Sequence, residues 1–319
     1  MTTIYGTLFV NWLKYDNGHF QHLIKRGVSP EIGLEHGGFD LPLERHRQTA
    51  AVIKDQGLRA AIHLPFTGIR PGADQDQRWH AAREQLLRAL EIAAVYEPDH
   101  LIGHPEFRPG LDSLTSVKAP AGLWGKTPAP PSPGGATLRR GSGDVQTAGP
   151  GSNFIAPSPS SAPDPLNTPG PKWLARSSEL WMEVLRQTEA RLYLENTVDR
   201  SPAAIMALLD TLPGRAAMCF DIGHWFSAAD GMILKNLPGW IVEAAPRLGH
   251  LHLHDNHGHN DEHLGMGRGL IDFDDFFALL GRYGLDPTFT LEAHSPDSLD
   301  ASLDWLARRG IGGPARSRT

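Results

Sequence analysis

Eight short apolar runs punctuate the chain, and their spacing predicts its architecture. They are IYGTLFV (4–10), PEIGLE (30–35), LRAAIHLPF (58–66), DHLIGHPEF (99–107), RLYLENT (191–197), AAMCFDIGH (216–224), LGHLHLHDN (248–256) and TFTLEAH (288–294). Runs of this length read as strands buried on both faces, the habit of a parallel sheet. Between them lie stretches of helical pattern, among them Leu43–Gln56, Gln77–Tyr96, Glu179–Ala190, Pro202–Leu212 and Asp272–Arg282. Repeated β-then-α units predict an α/β fold, a (β/α)8 TIM barrel that takes residues 1–319 as a single domain.

One segment stands outside that pattern. Residues 108–172 carry thirteen of the 26 prolines and are otherwise rich in Gly, Ser and Ala. Too few large apolar residues remain to build a core, so the segment reads as a low-complexity, disordered insertion after the fourth strand. Its place above the C-terminal mouth leaves a lid as the other reading.

Composition narrows the class. Apolar residues make up 40% and charged residues 21%, the balance of a soluble globular chain. A net charge of −6 argues against a surface that neutralises a nucleic-acid backbone. Cys219 is the sole cysteine, which rules out an intrachain disulfide and suits a reducing, cytoplasmic setting. The opening MTTIYGTLFVNWLKY has no basic lead or cleavage site and reads as a first strand, not a signal peptide. No run approaches the roughly eighteen apolar residues a membrane helix needs, so no membrane partner is expected.

The chemistry gathers at the C-terminal ends of the strands, where barrels of this kind do their work. His63 ends the third strand, His104 the fourth and Glu195 the fifth. Asp221 and His224 lie at the end of the sixth, His252 on the seventh, Asp261 and His263 in the loop after it, and Glu292 on the eighth. That makes five imidazoles and four carboxylates at one mouth. Burying them without a cation would cost more than a marginally stable fold can offset. Imidazole and carboxylate donors without thiolate suit zinc, manganese or iron.

The ordered set HLPF, GHPEF, ENT, DIGH, HLHD, DEHLGMGRGLIDF and LEAH resembles the xylose isomerase-like TIM barrels, the superfamily that includes endonuclease IV. The resemblance implies up to three divalent ions, zinc first and manganese as the other candidate. His63, His104 and Glu195 would hold one, and Glu195, Asp221, His252 and Glu292 a second. His224, Asp261 and His263 would hold the third. EIGLEHGGFDLP, HLPFTGIRPGADQDQRW and LENTVDRSP look similar to the cobamide-remodelling phosphodiesterases of that superfamily.

The first expectation is therefore a phosphodiester hydrolase with a multinuclear centre and a metal-activated water, acting on a small nucleotide-containing substrate such as a cobamide. The alternative is a sugar or sugar-phosphate isomerase or epimerase. It would need one metal on Glu195, Asp221, His252 and Glu292, with Glu195 and Glu292 moving protons. His63, His104, Asp261 and His263 would then bind substrate or support the ligands from behind. An abasic-site endonuclease ranks below both because the chain is acidic and lacks a basic, aromatic cluster. A non-catalytic barrel with vestigial ligands would have lost a donor, and none is lost. Arg70, Trp225, Arg268 and His294 are the candidate substrate contacts. Asp255 and Asn256 are expected to orient ligand imidazoles.

Overall fold

The computed structural model describes residues 3–10, 13, 18–35, 39, 41–108, 168–228 and 236–312. Eight parallel strands close into a barrel in chain order: β1 (Ile4–Phe9), β2 (Ser29–Gly33), β3 (Ala61–His63), β4 (His100–Gly103), β5 (Arg191–Glu195), β6 (Ala216–Asp221), β7 (Leu248–Leu253) and β8 (Thr288–Leu291). β1 pairs with β8 to complete the ring. The helices are α1 (Gly18–Arg26), α2 (Leu43–Asp55), α3 (Asp76–Tyr96), α4 (Pro171–Arg186), α5 (Ala203–Leu209), α6 (Ile222–Ala228), α7 (Leu237–Ala244), α8 (Phe273–Arg282) and α9 (Pro296–Arg309).

The strands are shorter than the apolar runs suggest. β3 and β4 stop just before Pro65 and Pro105, residues that have no N–H to extend a ladder. The α4 helix begins at Pro171, ahead of the expected Glu179, with a proline in its first turn, a favoured position. Its Trp173 is buried, and a Cβ on Gly72 would fall 2.1 Å from that indole, so this glycine admits the close packing. Most of the Pro-rich segment expected at 108–172 lies outside the described residues.

Strand alternation creates two unlike interiors. Leu192, Leu194, Phe220, Leu251, Leu253 and Leu291 point outward into the large apolar layer beneath the helices. Burial of each such side chain contributes about 1.5–3 kcal/mol. The lumen holds a small apolar cluster of Ile102, Tyr193 and Cys219, and above and around it are polar groups. Glu31, His100, Glu195, Asp221, His250, His252, Thr290 and Glu292 are all buried. The strands are buried on both faces as expected, and the inner face carries chemistry. Among the described residues, no helix is long and apolar enough to cross a membrane.

Candidate metal centre

The centre is assembled from strand ends. On β7 the sequence His250-Leu251-His252-Leu253-His254 alternates, and all three imidazoles are buried while the leucines join the outer layer. Glu195 and Asp221 are tied together by Asn196. Its Oδ1 accepts the Asp221 N–H at 2.9 Å, and its Nδ2 donates to the Asp221 carbonyl at 3.0 Å. The chain then turns at once into α6, so the strand expected to run to residue 224 ends at Asp221. Asp221 Oδ1 accepts the His224 N–H at 2.6 Å, as a helix-capping carboxylate does. Gly223 lets this turn approach β7, since a Cβ there would fall 2.0 Å from the His254 ring.

Glu195 is the hub. Its Oε2 lies 3.1 Å from His63 Nε2 and 2.9 Å from His104 Nε2. Its Oε1 lies 3.2 Å from both His224 Nδ1 and His252 Nδ1. His252 Nδ1 also stands 3.2 Å from Glu292 Oε1 and 3.8 Å from Asp221 Oδ2. Farther out, His224 Nε2 and His263 Nε2 converge on Asp261 Oδ2 at 3.3 and 3.0 Å. The fold therefore brings all the expected donors to one place. It adds His254, whose Nε2 is 3.3 Å from Asp221, 3.5 Å from Asp261 and 3.7 Å from Glu292.

Buried atoms of this cluster that make no hydrogen bond among the described residues include Glu195 Oε1, Asp221 Oδ2, His252 Nδ1, His254 Nε2 and Glu292 Oε2. Orphaned acceptors and imidazole nitrogens facing one another are what a cation cradle looks like. Ligand atoms bound at ~2.1 Å around a tetrahedral ion sit ~3.4 Å apart. The contacts from His252 Nδ1 span 3.2–3.8 Å. Two groups of four have donors close enough to share an ion: His63, Glu195, His252 and Glu292, and His224, His254, Asp261 and His263. The donor set fits zinc or manganese.

Electrostatics without an ion show how much charge is packed here. Burial pushes the Glu195 carboxyl up, yet His252 and His104 outweigh it and hold it well below the usual carboxylate range. Burial pulls His224 down, and the carboxylates of Asp221, Asp261 and Glu195 raise it well above its ordinary value. For Asp221 burial wins, and its carboxyl is pushed up.

The outer group sits on a built loop. Asp255 Oδ2 accepts the N–H groups of Gly267 and Gly269 at 2.9 and 2.8 Å, and its Oδ1 accepts that of Ile271 at 3.1 Å. Asn256 Nδ2 donates to the Gly223 carbonyl at 2.9 Å. These two residues hold backbone, and neither bonds an imidazole, which corrects the expected role. The loop they secure carries His263 in a left-handed conformation, φ +50°. Such strain persists in a non-glycine residue only where its surroundings dictate it, and it clusters at functional sites. Glu106, also at the mouth, shares this feature with φ +53°. His263 stacks between His254 and His294, with centroids 4.0 and 3.8 Å away.

Above the donors opens a cavity of about 610 Å³, lined in part by Phe9, Phe66, Arg108, Val198 and His294. Of the expected substrate contacts, His294 lines it, and Arg70, Trp225 and Arg268 do not. Trp225 packs on the apolar layer beside Phe220 because it follows His224 on α6 and turns away from the lumen. Arg268 is exposed on its Gly-rich turn. Asn196, His254 and Glu31 were not assigned from sequence. Alternation around His252 marked His254, and the lone carboxylate in PEIG marked Glu31.

Residues 153–309 match the family described as Xylose isomerase-like TIM barrel. Over that segment, just under half of the chain, and in its closed eight-strand barrel the chain is similar to the xylose isomerase-like TIM barrels. It is 33% identical over 93 residues to an uncharacterized protein of Methanocaldococcus jannaschii, a match that spans 34% of that relative's length. Among solved structures it resembles a D-tagatose 3-epimerase-like protein (TM-score 0.64, 16% identity, 98% of this chain and 100% of that one). It also resembles a Thermus thermophilus protein soaked with ZnCl2 (TM-score 0.62, 20% identity, 98% and 99%). A third likeness is to a D-allulose 3-epimerase from Methylomonas sp. (TM-score 0.63, 15% identity, 97% and 98%).

Proposed function

We propose that the protein is a metal-dependent isomerase or epimerase of a small hydroxylated substrate, a sugar or sugar phosphate. The observation that carries this reading is the placement of two buried glutamates around one set of orphaned donors. Glu195 comes from β5 and Glu292 from β8, three strands apart around the ring, so they approach a shared point from different walls. A divalent ion held by Glu195, Asp221, His252 and Glu292 would polarise a carbonyl and its neighbouring hydroxyl.

The proton chemistry belongs to the protein. One glutamate takes the proton from the carbon beside the carbonyl, and the other returns a proton from its own side. His63 and His104 fix Glu195 through Oε2, leaving Oε1 turned toward the shared point. The epimerase names of two similar folds support this choice over hydrolysis.

A second reading rests on the donors one ion would leave unused. His224, His254, Asp261 and His263 form their own group. That surplus favours a multinuclear phosphodiester hydrolase of a small nucleotide-containing molecule, the nucleotide loop of a cobamide included.

One paired assay tests both. The metal-loaded chain is incubated with aldose, ketose and sugar-phosphate mixtures in D2O, and separately with bis-p-nitrophenyl phosphate and cobalamin. Carbon-bound deuterium in a sugar, with phosphodiesters intact, supports the isomerase. Phosphodiester cleavage without exchange replaces it with the hydrolase.

A further inference from the structure

Beneath the centre lies a buried carboxylate to which the proposed reaction gives no task. Glu31 stands on β2, opposite Thr7 of β1 and Ala61 of β3, and is 1% exposed. Its Oε2 is fully engaged: Thr290 Oγ1 donates to it at 2.7 Å and His100 Nε2 lies 3.2 Å away. Thr290 is itself held by His250, whose Nε2 is 2.9 Å from Oγ1, and His250 Nδ1 is 2.7 Å from Thr288 Oγ1. Strands β2, β4, β7 and β8 thus lock one carboxylate in the middle of the lumen.

Its other oxygen, Oε1, is 3.1 Å from His252 Nε2. Neither atom is hydrogen-bonded among the described residues, so the two face each other as a close pair with no competing partner. The opposite nitrogen of the same ring, Nδ1, faces Glu195, Glu292 and Asp221. A ring with one nitrogen on a carboxylate and the other on a ligand cluster has its tautomer and orientation set, and a charged acceptor raises the basicity of the free nitrogen.

We infer that Glu31 is the positioning residue of the metal centre: it accepts the Nε2 proton of His252 and so commits that histidine to bind metal through Nδ1. The inference rests on the metal-dependent reading and adds to it a residue on the floor of the site, anchored by His100 and Thr290. Removal of its charge at constant shape leaves His252 free to turn and weakens the ion's hold.

The test has two arms on the full chain. In the first, zinc affinity of the wild type and Glu31→Gln is measured by competition with a chromophoric chelator, alongside the visible spectrum of the Co(II)-loaded forms. The expected result is a ~10–100-fold weaker affinity with a shifted Co(II) spectrum. Glu31→Asp should recover part of both. Unchanged affinity and spectrum in Glu31→Gln overturn the positioning role and leave metal-dependent function standing. The second arm needs no variant. A crystal structure of the zinc-loaded wild type should show His252 Nδ1 on the ion and Nε2 on Glu31. Ligation through Nε2, or by Glu31 itself, overturns the inference. A wild type that binds no divalent ion overturns the metal-dependent reading along with it.

Discussion

The two ends of the lumen are built from similar residues and treated oppositely. At the N-terminal end Tyr5 donates to Asp99, which also pairs with both Arg59 nitrogens that reach it. Just above, His250 has a threonine hydroxyl on each ring nitrogen. At the C-terminal end buried carboxylate and imidazole atoms, Glu195 Oε1 and His252 Nδ1 among them, make no hydrogen bond among the described residues. Native proteins satisfy nearly all buried polar atoms, so an unsatisfied cluster marks a place where something else binds. The lower end is satisfied by its own residues, and the upper end is left with donors for a bound group.

Substitutions at the two ends should separate sharply. Glu195→Gln removes the shared carboxylate of the upper end, and turnover of the isomerised sugar should fall on the order of 10²–10⁴-fold. Arg59→Ala at the lower end should leave turnover and metal content unchanged; a comparable loss there would erase the contrast. Next in size is the effect of the ion on stability. At an ion concentration of about 100 times Kd, binding should add about 2.7 kcal/mol. A chelator should then lower Tm by roughly 4–6 °C in scanning calorimetry. Identical Tm values with and without chelator would mean the upper end is no receptor.

A smaller effect separates the inner donors from the outer loop. Asp255→Ala strips three glycine and isoleucine amides of their charged acceptor. It should destabilise the fold by about 1–3 kcal/mol. The loop donors Asp261 and His263 should loosen, while the inner four-residue site still binds an ion. Loss of all metal in that variant would join the two groups into one unit.

The smallest expected effect is pH-dependent. Burial pulls His263 down, but Asp261 and Glu292 raise it to about 9. A folded-state value above the unfolded one gives stability that is complete below about pH 6.5 and fades as pH rises toward the folded value. Metal-free Tm should therefore decline between about pH 6.5 and 9. With one ion on the inner donors the metal-loaded protein should keep this decline, and a second ion on His263 would take the proton's place and abolish it. Equal slopes in both forms would show that His263 is not a donor.

The ring of strands and the residues at its upper rim were legible because period-2 patterning and strand ends are local properties. Each of His63, His104, Glu195 and Glu292 sits at or next to the last residue of its strand. The lumen floor was less so. Glu31 follows a proline in a run that reads as wholly buried, and its meaning comes from His252, more than two hundred residues away. Two of the expected substrate contacts lie apart from the cavity for a related reason. Arg268 and Trp225 lie close in sequence to the donors, but a turn and a helix carry them away from the cavity. The α9 helix lies beyond the helices expected from pattern, although its signature is local: Ser295 as cap, Pro296 after it and Gly310 in a left-handed conformation at its end.

Elemental analysis of the purified chain tests the central claim most directly, with wild type and Glu195→Ala compared after loading and dialysis. The account predicts about one tightly held zinc or manganese per wild-type chain, lost in the variant. A wild-type chain that retains no divalent ion would contradict it.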